Sequence, residues 1–528
     1  KPFTLKTQQS YKNISPTSLV NFVKNDLKVD FLEWLDPSFY KASSITGLKL
    51  EGAMVFDKHG ASLSPLDLDV NIIGIEKIGG IKEFEKGIKA HINSSIDIDL
   101  NNKIFTVSDL NSNLNSTKIE GLIKYNFSLP KPVITGKLLV SADINRLLNN
   151  LSSETPISQN ESKDNLLTLE TSFHADSNSE NVSLSDIHLY GSNADITGNF
   201  SVTSWSDPKI NFNMNGDNLN VDTYITTHKN LRDSENTAGS TDMETTQRLV
   251  NHPRQTALTK LIRKSMINGH IILENLHAHN LTVSNLDISI AGDDGIIEML
   301  PIFHMYGGKA EGTITIDASH TPTVVYIEDT VNNINVGDLI YNMAKKDIIR
   351  GKGNIKQKLS LKFNNYDKII RGLNGYTEIK LIDGNFKGLN IVSIIRDIYS
   401  LVEKGTLYNI KSDNLDDFTS LNATFEAKNG ILENDDLEME SPIFKLTGGG
   451  IIDLGSEYID FNLYLKLFKP IYGNFDNKTS DNTTYNKIIF QEFMGEEIPI
   501  KYKGKLSDPD THIDMRSIIK SSIKEKAV

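Results

Sequence analysis

The sequence contains no cysteine, which excludes disulfide bonds, thiolate nucleophiles, zinc knuckles and iron–sulfur clusters. It also lacks any run of about eighteen apolar residues, the minimum that a membrane-spanning helix needs. Positive charge is in deficit, since 55 Lys and Arg residues stand against 68 Asp and Glu residues, for a net charge of −13. Nucleic-acid binding requires a clustered basic surface. The charge balance therefore excludes a nucleic-acid partner.

Sequence motifs of known catalytic sites are also missing. There is no Gly-x-Ser-x-Gly elbow, no His-Glu-x-x-His motif and no kinase motif set. His270, His277 and His279 fall close together. Glu274 is their only close carboxylate, and a strand face explains them better than a metal site does. Asp293-Asp294-Gly295 lacks the spacing of a calcium loop and is typical of a turn. We therefore expect a protein that is not an enzyme and needs neither a cofactor nor a metal.

The dominant pattern is an alternation of apolar and polar residues with period two, typical of strands that have one apolar and one polar face. Its longest run has apolar residues at Ile459, Phe461, Leu463, Leu465 and Leu467, and shorter runs occupy 66–72, 123–129, 210–214 and 359–363. Gly, Asn and Asp cluster between runs and predict hairpin turns at Asn215-Gly216-Asp217, Asp383-Gly384-Asn385 and Lys428-Asn429-Gly430. The sequence therefore predicts a mainly β protein.

Helical spacing is confined to a few short segments. It predicts helices at 18–35, 256–266, 339–348, 391–402 and 515–526. Polar stretches at 152–165, 230–247 and 476–486 contain too few apolar residues to pack and are interpreted as loops or linkers. These stretches divide the chain into an N-terminal β-rich part with a leading helix (1–150), a middle β part with polar loops (151–250) and a C-terminal β-rich part with short helices (251–528).

Several short motifs carry a family resemblance. They are Asn335-Val336-Gly337-Asp338-Leu339-Ile340, Arg350-Gly351-Lys352-Gly353-Asn354, Leu373-Asn374-Gly375-Tyr376, Ile382-Asp383-Gly384-Asn385-Phe386-Lys387-Gly388-Leu389-Asn390-Ile391 and, near the end, Gly504-Lys505-Leu506-Ser507-Asp508-Pro509. In their order and spacing they resemble the C-terminal region of the AsmA family of Gram-negative envelope proteins. The similarity runs from about residue 184 to the end of the chain.

The resemblance implies a fold and a location. The alternation alone is equally compatible with a β-sandwich or a β-helix core. The family resemblance instead favours an elongated, curved, largely antiparallel sheet that forms an open apolar groove, with a few short helices covering its ends or one side. It also implies a periplasmic protein tethered to the inner membrane by an N-terminal helix that is not part of this sequence.

The function implied by the resemblance is passive phospholipid transfer between the inner and outer membranes along the groove. The candidate groove residues are Leu359, Leu361, Phe363, Ile459, Phe461, Leu463, Leu465 and Leu467. The expected partners are phospholipid, the inner membrane through the anchor, and outer-membrane assembly or lipid-export proteins. Two alternatives remain open: a structural or chaperone-like factor for outer-membrane protein assembly that uses exposed sheet edges, and a surface adhesin or glycan-active β-solenoid.

Overall fold

The structure is a computed structural model that describes residues 3–11, 44–56, 58–73, 88–115, 117–128, 131–143, 166–191, 193–204, 206–222, 262–278, 281–363, 370–387, 394, 409–411, 417–469, 471–475, 485–489 and 494–513. The chain forms two compact units. The first comprises Lys1–Ala278 and Ile290–Gly295, and the second comprises His279–Ser289 and Ile296–Val528. The division of the chain into three parts at residues 150 and 250 stays a prediction.

Strands dominate both units. The first unit contains β1 (Phe3–Tyr11), β2 (Ser44–Phe56), β3 (Gly60–Ile73), β4 (Ile88–Asp99), β5 (Ile104–Leu114), β6 (Thr117–Asn126), β7 (Val133–Asp143), β8 (Leu166–Asp176), β9 (Asn181–Gly191), β10 (Ala194–Thr203), β11 (Lys209–Asn220) and β12 (Met266–Ala278). Strand β13 (Leu281–Asp293) has residues in both units.

The second unit adds one described α-helix and further strands. These are β14 (Ile296–Met305), β15 (Gly308–Asp317), β16 (Thr323–Asn335), α1 (Val336–Ala344), β17 (Ile349–Phe363), a 3₁₀ turn (Ile370–Gly372), β18 (Leu373–Phe386), β19 (Asn409–Lys411), β20 (Asp417–Lys428), β21 (Ile431–Glu440), β22 (Phe444–Asp453), β23 (Tyr458–Leu467), β24 (Ile471–Phe475), β25 (Tyr485–Ile489), β26 (Glu497–Lys505) and β27 (Asp508–Ile513).

Each unit is built by pairing strands that follow one another along the chain. In the first unit the pairs from β1–β2 to β10–β11 are antiparallel, and β11–β12 is parallel. In the second unit antiparallel pairs run from β14 through β18, β20 to β23, β26 and β27, while β19, β24 and β25 form a separate small sheet. Among the described residues, no pairing joins the first strand of either series to its last. The prediction of an open, largely antiparallel, mainly β fold is therefore confirmed.

Glycine-containing clusters have two different roles. The predicted turn at Asn429-Gly430 is confirmed, because both residues have positive φ angles of 52° and 79° between β20 and β21. The predictions at Asn215-Gly216-Asp217 and Asp383-Gly384-Asn385 were wrong, since both clusters lie inside long strands, β11 and β18. There the pairing register shifts by one residue, and Asp383 takes a positive φ of 48°. An extra residue in one strand forms a β-bulge, which needs the same backbone freedom as a turn.

Helix α1 matches the segment predicted at 339–348, although it begins at Val336 and ends at Ala344. The Asn335 side chain accepts a hydrogen bond from the Gly337 N–H at 3.2 Å, which caps the first turn. Lys345, with a φ of 55°, ends the helix in the left-handed conformation. The other predicted helices and the three polar stretches lie wholly or largely outside the described residues. No helix in the described ranges combines the length and hydrophobicity required to span a bilayer.

The closely packed core of the described residues belongs to the second unit. Its most buried members are Ala310, Ile334, Phe444, Leu446, Leu465 and Ile498, each 0% exposed. Alternation explains how they come together, because every second residue of a strand faces the same side. In β23, for example, Phe461, Leu463 and Leu465 are buried while Asn462 and Tyr464 between them are exposed.

Candidate functional site

An apolar ladder crosses the sheet of the first unit. Each member is the direct cross-strand partner of the next, from β3 to β12: Leu63, Ile96, Val107, Ile123, Gly136, Phe173, Leu184, Phe200, Phe212 and Gly269. Directly opposite residues project from the same face of a sheet. With neighbouring strands about 4.8 Å apart, nine steps extend on the order of 40 Å. We call this set the inner ladder.

The face that carries the inner ladder is open. Its nine members from Leu63 to Phe212 are all half-buried rather than buried, whereas neighbours such as Lys124, Asn199 and Asn213 project from the other face and are exposed. The closely packed core contains only residues of the second unit. In the described part of the first unit, the apolar face is therefore only partly shielded from water. Contiguous apolar surface of this extent marks a binding site for a ligand or a partner.

Aromatic rings make this face continuous across glycine residues. A Cβ atom built on Gly136 would lie 2.6 Å from the Phe173 ring, and one on Gly269 would lie 2.1 Å from the Phe212 ring. Each ring therefore occupies the space that a side chain on the neighbouring strand would fill. The second unit repeats the arrangement with Phe461 against Gly450 at 2.8 Å. The apolar surface is therefore continuous across the glycine positions.

The candidate groove residues of the second unit fall into two groups. Phe461, Leu463, Leu465 and Leu467 are buried in the core, with exposures of 5% or less, and Ile459 packs against that core half-buried. Leu359 and Leu361 on β17 are half-buried and lie outside the core cluster. Phe363 ends β17, but its side chain lies outside the described residues. The structure thus divides the candidates into a group within or against the core and a half-buried group outside it. Contact of any of them with lipid stays a prediction.

A polar pair interrupts an apolar face of strands β16 and β17 in the second unit. Asp329 on β16 lies opposite Gln357 on β17, and the Gln357 Nε2 donates a 3.0 Å hydrogen bond to the Asp329 Oδ2. The Asp329 Oδ1 is buried and has no hydrogen-bond partner. Burial raises the pKa of the Asp329 carboxyl above its ordinary value of 3.8. The sequence alternation did not single out this pair, because Asp329 stands next to Glu328 in a charged stretch.

Other shifted titratable groups have structural explanations. Arg350 donates two hydrogen bonds to Asp347 at 2.8 and 2.7 Å, and Lys387 donates a third at 2.7 Å. These bonds, led by those of Arg350, lower the pKa of Asp347 to about 2. Burial alone raises the pKa of Tyr502 to about 12, and this residue lies in the core opposite Phe461. Neither arrangement forms an acid–base pair suited to catalysis.

A concavity of about 630 Å³ lies beside the bulge of β21 and is lined by residues of strands β21 to β23. The Asp436 Oδ1 accepts hydrogen bonds from the Thr424 N–H and from the Asn434 side chain, each at 2.7 Å. Asn434 also donates to the Thr424 carbonyl at 2.9 Å. These contacts close the bulge and explain the polar residues there. The Gly448-Gly449-Gly450 segment lies directly opposite this bulge, inside β22.

One group of side chains has the composition of a metal site. Asp67, Asp69 and His91 hold ligand atoms within 4.8 Å of one another on the polar face of β3 and β4. The His91 Nδ1 lies 2.8 Å from the Asp69 Oδ1 and 3.6 Å from the Asp67 Oδ1. Asp69 and His91 are exposed and Asp67 is half-buried, and the hydrogen bond between His91 and Asp69 explains their approach. Sequence spacing could not reveal this group, because only the register of β3 against β4 brings His91 to the two carboxylates.

The suspected histidine cluster does not gather into a metal site in the described residues. His270 and His277 lie seven residues apart on β12, and strand alternation directs residues at an odd spacing to opposite faces. His279 lies outside the described residues. Among the described residues, the strongest candidate functional site is therefore the apolar face that carries the inner ladder.

Comparison with known proteins agrees with the motifs of the second unit. The model of the AsmA family matches residues 89–437, more than half of the chain. This range includes the motifs between Asn335 and Ile391, begins well before residue 184 and ends before the Gly504–Pro509 motif. Protein AsmA of Escherichia coli (strain K12) is 17% identical over 358 residues, which cover 66% of this chain and 55% of that protein. The matched region therefore spans about half of that relative. The family is related to envelope biogenesis or lipid transport, and the chain belongs to the AsmA family.

Proposed function

We propose that this protein binds phospholipid in the bacterial envelope and passes it between the inner and outer membranes without catalysis. The observation that carries the proposal is the inner ladder, an apolar face ten strands wide whose nine members from Leu63 to Phe212 are half-buried. Each CH₂ group of an acyl chain gains roughly 0.8 kcal/mol when it leaves water. An acyl chain lying on this face would remove its own surface and that of the ladder from water together.

Passive transfer requires a surface on which a chain can move without crossing a large barrier. The inner ladder presents apolar side chains at eight of its ten strands and glycine at the other two, so neighbouring positions offer an acyl chain similar free energies. The aromatic rings that cover Gly136 and Gly269 remove the gaps that would otherwise interrupt the path. A compact binding pocket would instead hold one ligand at one place. The two membranes and the partners of the proposed transfer follow from the family resemblance and not from this geometry.

Photocrosslinking tests the proposal at single residues. Phe200 of the inner ladder is replaced by benzoylphenylalanine, which keeps the Phe ring and adds a photoreactive benzoyl group. The same replacement of the neighbouring Asn199 on the polar face of β10 provides the matched control. In cells, we expect illumination to attach phospholipid to position 200 and not to position 199. Equal labelling of both positions, or labelling of neither, would contradict the proposed role of this face.

Native mass spectrometry provides an independent test of the same proposal. We expect the purified protein to release phospholipid, in more than one copy for each chain. A lipid-free mass that persists after incubation with phospholipid vesicles would contradict the proposal. Co-purification of an outer-membrane protein in place of lipid would favour the assembly-factor alternative.

A further inference from the structure

Asp329 and Gln357 form a polar row across an otherwise apolar face. Asp329 projects to the same side of β16 as Ile327 and Val331, since strand residues two apart share a face. In the cross-strand direction Asp329 lies between Gly312 on β15 and Gln357 on β17, and Gln357 in turn lies opposite Thr377 on β18.

No cation among the described residues forms an ion pair with Asp329. The adjacent charged residues Glu328, Lys356 and Lys358 alternate onto the other face and are exposed, and the Lys358 Nζ lies 3.0 Å from the Glu328 Oε1. The two cross-strand rows that flank the polar row are both apolar. One contains Ile314, Ile327 and Leu359, and the other contains Ala310, Val331 and Ile355.

The carboxyl group of Asp329 is held at an energetic disadvantage. Gln357 satisfies one oxygen, while the other is buried without a donor. A buried polar atom without a partner loses the hydrogen bonds that water would provide. Ionisable groups with perturbed surroundings occur preferentially at functional sites. A ligand that offers a hydrogen-bond donor with a positive charge would remove this disadvantage.

The location of the pair indicates what kind of ligand that would be. On one side Ala310 and Val331 are buried, with exposures of 0% and 7%. On the other side Ile327, Leu359 and Leu361 are half-buried and form an open apolar strip. Asp329 therefore stands where the open strip meets the closed core. An amphiphile lying on the strip would present its polar end to the carboxyl group.

We propose that Asp329 is a specificity-determining residue for lipid headgroups, which selects phospholipids whose headgroup ends in a protonated amine. Gln357 acts as a positioning residue that orients the carboxyl group. A headgroup ending in neutral hydroxyls would leave the lipid with a net negative charge beside Asp329, with no ammonium to offset it. This inference rests on the proposed function, since it assumes that phospholipid also occupies the apolar strip of the second unit beside Asp329.

Competition between two lipids tests the inference. The protein is incubated with vesicles that contain equal amounts of phosphatidylethanolamine and phosphatidylglycerol with identical acyl chains, and the bound lipids are counted by native mass spectrometry. We expect the ethanolamine lipid to exceed the glycerol lipid by roughly tenfold, a ratio within reach of one charge-assisted hydrogen bond. In Asp329→Asn we expect this ratio to fall close to one, with the total amount of bound lipid maintained.

Matched variants separate headgroup recognition from folding. Glu328→Gln removes a neighbouring carboxylate on the other face and should keep the wild-type ratio. Asp329→Ser provides a second neutral variant if the Asn variant does not fold. Equal binding of both lipids by the wild type, or an unchanged preference in the neutral variants, would overturn the role of Asp329 and leave the proposed function standing. Absence of both lipids from every variant would overturn the proposed function as well.

Discussion

Replacing Asp329 by Asn should stabilise the lipid-free protein at neutral pH. The substitution keeps the shape of the side chain and removes the ionised oxygen that is buried without a donor. The hydrogen bond with Gln357, 3.0 Å long in the wild type, can be kept if the Gln357 amide turns so that its oxygen accepts from the new amide. The amide atom that takes this position still has no partner, but it carries no charge, and a neutral polar group costs less to bury than a charged one. We therefore expect the free energy of unfolding to rise by on the order of 1 kcal/mol.

The pH dependence of the effect follows from the raised pKa of Asp329. The native state binds the proton more tightly than the unfolded chain, whose carboxyl has the ordinary value of 3.8. The wild type therefore loses stability as the pH rises from about 3.8 to the native pKa, and the loss is constant above it. The difference between Asp329→Asn and the wild type should accordingly be larger at pH 8 than at pH 4.

Urea unfolding followed by far-ultraviolet circular dichroism measures this difference. Glu328→Gln is the control, since its pair with Lys358 is exposed to solvent and should contribute little to stability. A variant that is no more stable than the wild type at pH 8 would refute the view that Asp329 is held at an energetic disadvantage.

Three further predictions follow from other parts of the fold. Leu465→Ala truncates a side chain that is 0% exposed and should lower the free energy of unfolding by about 2–5 kcal/mol, measured by urea titration. A loss below about 1 kcal/mol would contradict close packing of the core. Gly269→Val would place its Cβ atom 2.1 Å from the Phe212 ring and should destabilise the first unit by about 1–3 kcal/mol, measured as a lower Tm. An unchanged Tm would show that the ring does not cover the glycine. The Asp347 carboxyl should titrate at a pKa of about 2 by carbon NMR, and Lys387→Met should raise that pKa; an unshifted titration in the variant would contradict the contact with Lys387.

The glycine and asparagine clusters show why local signals only partly predicted the backbone. Asn429-Gly430 and Asp383-Gly384 have the same local character, yet the first joins two strands and the second lies within one. Both places need a residue that accepts a positive φ, so composition identifies the conformation but not its context. Pairing with a partner strand on both sides decides that Asp383 belongs to a bulge, and such pairing is a long-range property.

The candidate site was predictable in kind but not in position. The alternation at 210–214 predicts an apolar strand face, and Phe212 lies on one. Its alignment with Phe200 and Gly269 depends on register, which places residues far apart in sequence side by side. The buried carboxyl of Asp329 was hidden for the same reason, because its partner Gln357 lies on another strand.

By itself, the sequence determined that the chain forms strands with one apolar face, because period-two alternation leaves no other way to segregate polar from apolar side chains. It also identified the family through motifs that remain recognisable without the fold. Only the tertiary structure decided which apolar faces are closed and which are open. Leu463 and Leu359 have the same local pattern, but Leu463 is buried within the core whereas Leu359 is only half-buried. Burial depends on what packs across a face, and neighbouring residues along a strand do not encode that contact.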